Sequence, residues 1–298
     1  MKLFTYDHQE KLKLGVQTEK GFLAIADTQQ KGSLPEVPTD IMEVINGGTK
    51  ALEQLGDFIQ QAEQNNATVY LDEDAIAWGP CVTQPQKIIC VGLNYRRHAD
   101  ETNAPYPETP ILFNKFNNTL AGHKEEIPVP EVTDKLDYEV ELGVVIGQKT
   151  KNSSEEDALS KVFGYFTAND LSARDLQMRT PQWLLGKTCD KFSPIGPVVV
   201  TADEIKDPQN LTLKTVVNGE VRQNSNTSDM IFTIKEIVSY ISKHMTLEPG
   251  DLILTGTPEG VVLGAPEAEQ VYLQPGDTVD IEIEHVGSLS NTFIKERA

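Results

Sequence analysis

Three carboxylates alternate in the stretch LDYEVELGVVIG, residues 136–147: Asp137, Glu139 and Glu141, followed by the apolar run Gly143-Val144-Val145-Ile146-Gly147. In an extended strand, alternate residues share one face, about 6–7 Å from one to the next. Acids in such a row, beside a run apolar enough to be buried, can collect a hard divalent cation such as Mg2+ or Mn2+, which takes oxygen ligands. The pattern alone does not decide the matter. Asp280, Glu282 and Glu284 alternate in the same way opposite Val279, Ile281 and Ile283, and there one dry face and one wet face suffice.

Four further stretches could complete a site. In GYFTANDLSARDLQMR (164–179) an apolar run ends at Asn169-Asp170 and a helical pattern begins. Asp170, Arg174 and Gln177 then fall at i, i+4 and i+7, which predicts one helix face. Asp170 is either a third carboxylate for the cation or a helix N-cap. In CVGLNYRRHADET (90–102), His98 and Glu101 stand at i, i+3, so that on one helical turn the carboxylate can orient the imidazole and raise its basicity. The plain alternative is a surface pair. LLGKTCDKFSPIGP (184–197) carries Lys187 in a Gly/Pro-rich loop, where a solvated lysine is the simpler reading. LILTGTPEGV (252–261) places Thr257 in a Gly-rich turn after a buried strand, without the spacing or lysine of a phosphate-binding P-loop.

The elements that must position these residues are mostly strands. Residues 1–30 read as short strands, with a turn at Glu19-Lys20-Gly21, and residues 38–64 as one or two helices interrupted at Gly47-Gly48. Strands return near 68–71, and the proline-rich WGPCVTQPQK (78–87) marks a boundary. This gives a small N-terminal α+β domain over residues 1–80 and a main domain over 86–298. The main domain contains the short apolar runs KIICVG and PVVVT and the hairpin stretch LTLKTVVNGEVRQ. Two Pro-Gly-Asp turns, at 249–251 and 275–277, each launch a strand. One clear helix is capped by Thr233, with Ile234, Ile237, Val238, Ile241 and Met245 on one stripe. Strands and helices do not alternate regularly, so a doubly wound parallel sheet is disfavoured and a mixed, β-rich α+β fold expected.

The 298-residue chain, 39% hydrophobic and 24% charged, is long enough for a sizeable core, and its net charge of −19 disfavours nucleic acid or an anionic membrane surface as partner. The N-terminal MKLFTYDHQE lacks the apolar segment of a signal peptide, and no apolar run approaches a membrane span. Cys81, Cys90 and Cys189 are odd in number and lack zinc-site spacing, as expected of free thiols in a reducing cytoplasm.

Taken in series, LDYEVELGVVIG, NDLSARDLQ, GKTCDKFSPIGP and DLILTGTPEGV resemble the fumarylacetoacetate hydrolase family, over roughly residues 86–295. The resemblance implies a mixed β-sandwich roll, usually a homodimer, with a metal at one mouth. Carried over by motif, it implies Glu139, Glu141 and Asp170 as ligands of Mg2+ or Mn2+, with Asp137 outside the ligand set. It implies a catalytic dyad of His98 and Glu101 on a lid-forming segment, Lys187 as a charge beside the metal, and Arg174, Gln177 and Thr257 as substrate contacts. Fumarylacetoacetase proper is longer and has a further acidic ligand seven residues before the histidine, where this chain has Val91. That departure points away from fumarylacetoacetate as substrate. The activity implied is hydrolysis of a carbon–carbon bond in an acylpyruvate or related β-diketo acid. Oxaloacetate decarboxylation, hydroxydienoate isomerisation and keto–enol tautomerisation need the same parts. A non-catalytic protein that retains the metal cage is the rival from another class, and it need not keep His98, Glu101 and Lys187 together.

Overall fold

The structure, a computed structural model, describes residues 1–296. Strand Val140–Ile146 is buried at every position, which requires cover on both faces of its sheet. It pairs antiparallel with Val162–Asn169 on one side and with Leu252–Leu254 on the other. Around this centre runs an eleven-stranded mixed sheet. Beyond Val162–Asn169 lie Ser193–Thr201, Lys2–Asp7, Leu12–Thr18, Gly21–Ala24 and Tyr70–Leu71, and beyond Leu252–Leu254 lie Ile88–Gly92 and Ile111–Lys115. Leu252–Leu254 and Ile88–Gly92 run parallel, which brings the loops after both strands to the same end of the sheet.

A five-stranded sheet, in the order Glu220–Asn226, Thr212–Val217, Thr278–Ile283, Gly287–Lys295 and Glu126–Val129, covers one face. Leu142, Val144 and Ile146 share a core there with Val279, Ile281, Ile283 and Phe293. Asp280 and Glu282 point to solvent, the wet face expected of that strand. Helix Ile41–Gln64 covers the other face, packing Ile41, Val44, Ile45, Leu55 and Phe58 into a second core with Val145, Phe166 and Val199. Its N-terminus is capped by Asp40, whose side chain accepts from Met42 N and Glu43 N, and its helical path is broken at Gly48 (φ 57°, ψ −142°). The result is the β-rich mixed fold expected from sequence.

Lys2–Phe4 pair with Val198–Val200, so the first strand of the N-terminal segment extends the central sheet. Two local expectations change. Residues Ile25–Lys31 form a helix instead of continuing the strands, with Thr28 buried and its Oγ1 accepting from Val69 N. Helix Ile234–His244 has the Thr233/Glu236 capping box and buries Ile234, Ile237, Val238 and Ile241, but Met245 lies one residue past its end. There the backbone turns extended to form the Thr150–Leu247 bridge, and Met245 is left exposed. Cys81, Cys90 and Cys189 are free thiols, the first two buried and Cys189 partly exposed. No described helix is long and apolar enough to cross a membrane.

Candidate active site

The acidic row is not one continuous strand. Leu136–Asp137 pairs separately with Ser172–Ala173, and the backbone breaks at Tyr138-Glu139 before Val140–Ile146 begins. The break removes Asp137 from the row. Its carboxylate accepts from Val262 N (2.9 Å), Leu263 N (3.0 Å) and Arg174 Nε (2.8 Å), and so ties the loop after Val261 to the sheet. Glu139 and Glu141 remain on one face, both buried.

Asp170 follows the last residue of strand Val162–Asn169, and its N–H donates to Glu139 O at 2.9 Å. One oxygen each from Glu139, Glu141 and Asp170 lies within 4.8 Å of the others. The predicted helix face is corrected here. The helix is only Arg174–Gln177, with Ala173 at its N-cap, because Ser172–Ala173 must stay extended to pair with Leu136–Asp137. Asp170 therefore neither caps nor joins the helix. Arg174 and Gln177 still meet in the site, with Nη1 donating to Gln177 Oε1 at 2.9 Å.

Three buried cations face these acids. Lys187, at the end of the short helix Leu184–Lys187, has Nζ at 2.8 Å from both Glu139 Oε2 and Asp170 Oδ2, so it is no solvated loop lysine. Gly186 makes this placement possible: a Cβ there would lie 2.5 Å from Gln177 N and 2.6 Å from Ala173 O. Lys115, which no sequence pattern singled out, donates to the other oxygen of Asp170 and to Leu171 O. A lone lysine at the end of a strand gives no signal until the fold brings it under Asp170. Arg174 is tied to the acids and to Gln177: Nε donates to Asp137, Nη1 donates to Gln177, and Nη2 lies 2.7 Å from Glu139 Oε1 in an ion pair without hydrogen-bond geometry.

The four buried carboxyl groups Asp137, Glu139, Glu141 and Asp170 thus meet three cations, Lys115, Arg174 and Lys187, which leaves one carboxyl without a cationic partner. That one is Glu141. Among the described residues it has no ion-pair partner and accepts only from Gly256 N (2.8 Å). Burial, Asp170 and Glu139 together push its carboxyl well above the usual carboxylate range. Burial also acts to raise Glu139, but Lys187 and Arg174 outweigh it and hold that carboxyl down at about 2. Burial would lower Lys187, and Asp170 and Glu139 reverse the effect, so it stays charged. Three hard oxygen donors, one of them without a cationic partner in the protein, fit a divalent cation such as Mg2+ or Mn2+.

Opposite the acids, helix Arg96–Glu101 brings His98 Nδ1 to 2.8 Å from Glu101 Oε1. Glu101 Oε2 accepts from Gly260 N at 2.9 Å, which fixes the carboxylate. The helix is latched by Arg97 N on Asp229 Oδ2 (3.0 Å) and by the Arg97–Glu259 ion pair. With Nδ1 engaged, Nε2 is the free imidazole nitrogen. His98, the Glu139/Glu141 pair, Lys187 and Thr257 line one cavity of about 670 Å3, whose apolar wall includes Phe113 and Trp183. Val91, at the position of the missing acid, also lines it. All the residues singled out from sequence thus converge on one cavity or its supporting shell.

Comparison with known proteins agrees with this geometry. Residues 87–294 match the sequence profile of the fumarylacetoacetate (FAA) hydrolase C-terminal family. The chain is 43% identical over 262 residues, 87% of its own length and 80% of the relative's, to "Oxaloacetate tautomerase fahd2, mitochondrial" of Xenopus laevis. Among solved structures it superposes on fumarylacetoacetate hydrolase from Exiguobacterium antarcticum with a TM-score of 0.83, at 33% identity over 99% of this chain and 100% of that one. Maleylpyruvate hydrolase from Sphingobium sp. SYK-6, solved with manganese(II) and pyruvate, gives a TM-score of 0.80 at 28% identity over the full length of both chains. The chain belongs to the fumarylacetoacetate hydrolase family and, like these relatives, is an enzyme.

Proposed function

We propose that this enzyme is a divalent-metal-dependent keto–enol tautomerase of oxaloacetate or a closely related 2-oxo diacid. The observation that carries the proposal is the single oriented imidazole, His98 on Glu101, facing a triad of carboxylates across one cavity. That arrangement suits the movement of one proton. The 43% identity to an oxaloacetate tautomerase supports this chemistry over the hydrolysis expected from sequence.

A cation held by Glu139, Glu141 and Asp170 would polarise the adjacent oxygens of a 2-oxo acid. Glu101, an acceptor, keeps the proton of neutral His98 on Nδ1 and leaves the Nε2 lone pair facing the cavity. Nε2 takes a proton from C3 as the C2–C3 double bond forms, then returns it to the C2 oxygen. Lys187 uses two of its three N–H donors on Glu139 and Asp170, and its fixed charge stands where negative charge develops. Thr257 and Gln177 are the proposed contacts to substrate oxygens. Arg174 holds Glu139 and Gln177 in place, and its Nη2, which makes no hydrogen bond among the described residues, is a further proposed contact to a substrate oxygen.

Hydrolysis of an acylpyruvate is the second reading, supported by the manganese- and pyruvate-bound maleylpyruvate hydrolase. A homodimer belongs to the proposal and is supported by the apolar Ile111, Leu184 and Leu185, exposed beside the end strand of the sheet. Three free cysteines suit a reducing compartment such as the cytoplasm, while the Xenopus relative is named as mitochondrial.

The test is proton NMR of the Mg2+- or Mn2+-loaded protein with oxaloacetate and, separately, acetylpyruvate. Accelerated keto–enol exchange of oxaloacetate without pyruvate is expected, and His98→Ala should slow it at least ~100-fold. Pyruvate from oxaloacetate would make the enzyme a decarboxylase, and acetate plus pyruvate from acetylpyruvate a hydrolase.

A further inference from the structure

Gln223 ends the hairpin stretch LTLKTVVNGEVRQ, on strand Glu220–Asn226 of the five-stranded sheet, and is wholly buried. A primary amide accepts two hydrogen bonds at oxygen and donates two at nitrogen. Gln223 uses all four. Oε1 accepts from Val140 N (3.0 Å) and Thr215 Oγ1 (2.8 Å), while Nε2 donates to Thr257 Oγ1 (2.9 Å) and Pro258 O (3.0 Å). The partners fix which end is which. Val140 N–H can only donate and the Pro258 carbonyl can only accept, so a flipped amide would lose both.

Each end of this amide reaches the cavity. Val140 lies between Glu139 and Glu141, so the amide oxygen anchors the backbone from which both carboxylates rise. Thr257 lines the cavity, and its oxygen already accepts from Gln223. Its hydroxyl proton therefore points away from Gln223, and among the described residues no acceptor takes it.

We infer that Gln223 is a positioning residue that presents the Thr257 hydroxyl as a hydrogen-bond donor to a substrate oxygen, while holding Glu139 and Glu141 in register. The ligand class, a 2-oxo acid, rests on the proposed function. Gln223→Glu preserves shape and reverses the donor: the new carboxylate takes the Thr257 proton and turns the hydroxyl away from the cavity. Gln223→Met removes the donor without adding charge, and serves if the glutamate variant fails to fold.

The experiment is a double-mutant cycle on pyruvate binding, measured by calorimetry at saturating Mn2+. Thr257→Val should weaken pyruvate about tenfold, as expected for one hydrogen bond to an anionic ligand. Gln223→Glu, which keeps an acceptor for Val140 N, should cost about the same in the Thr257 background and less than twofold in the Thr257→Val background; Gln223→Met, which loses that acceptor as well, should still cost more in the Thr257 than in the Thr257→Val background. Equal losses in both backgrounds would mean that Gln223 only supports the fold, and would overturn the inference. Wild-type protein that binds pyruvate but turns over no 2-oxo acid would sink the proposed function and leave the cycle readable. No pyruvate binding by the wild type would overturn both.

Discussion

At the scale of single residues, the site is governed by where buried charge is left uncompensated. Glu139 and Asp170 each have cations within hydrogen-bond distance, whereas Glu141 has only a backbone N–H. Its raised carboxyl pKa means that the metal-free protein keeps a proton there at pH values where an exposed glutamate has none. A cation needs the carboxylate, so that proton must leave on binding. Mn2+ affinity should therefore weaken as pH falls, and binding should release a proton, read as a buffer-dependent enthalpy in calorimetry. The same enthalpy in every buffer would show that Glu141 is already ionised. Glu141→Gln should abolish the proton release and cost at least ~100-fold in affinity, beyond the usual effect of an outer-shell change. Glu282→Gln, on the solvated acidic strand, should do neither.

At the scale of elements, the site depends on close backbone approaches that leave no room for adjustment. Helix Leu184–Lys187 packs on helix Arg174–Gln177 through Gly186, where the atoms nearest an added Cβ, Gln177 N and Ala173 O, both belong to the backbone. Gly186→Ala should therefore displace Lys187 from Glu139 and Asp170, lowering turnover at least tenfold. It should also destabilise the protein by about 1–3 kcal/mol, the usual cost of overpacking. Chemical denaturation alongside steady-state kinetics checks both, and an unchanged pair of values would remove Gly186 from this role. The same packing explains what the sequence could and could not disclose. Glu139/Glu141 spacing and the His98/Glu101 turn are local periodicities, so they were legible. Lys115 and Gln223 reach the site through strands far from it in sequence, and no local pattern distinguishes them. Asp170 is legible as a ligand candidate, but the local pattern also puts it at or on a helix, because the Leu136–Asp137 pairing that keeps residues 172–173 extended is a long-range contact.

At the scale of the whole molecule, two layers must stay registered for the site to exist, and His123 sits at their seam. It follows strand Leu120–Ala121, which pairs with Ser193–Thr201 as the eleventh strand of the central sheet, and its Nδ1 accepts from Ser290 N at 3.0 Å in a strand of the five-stranded sheet. Its ring also meets Trp78 edge-on, with centroids 5.3 Å apart. Burial first, and Lys124 second, hold the imidazole down at about 4. A protonated Nδ1 could no longer accept from Ser290 N–H. The unfolded chain takes up this proton near pH 6.5, well before the native protein does. Stability owed to neutral His123 is thus intact above about pH 6.5 and is lost progressively as pH falls towards 4. Allowing for its partial exposure to solvent, the loss between pH 7 and pH 5 should be about 1 kcal/mol. His123→Gln supplies an acceptor that does not titrate in this range, so its urea midpoint should fall less than that of the wild type between the same two pH values. Parallel falls in the two proteins would place the acid sensitivity elsewhere, among the buried carboxylates of the site.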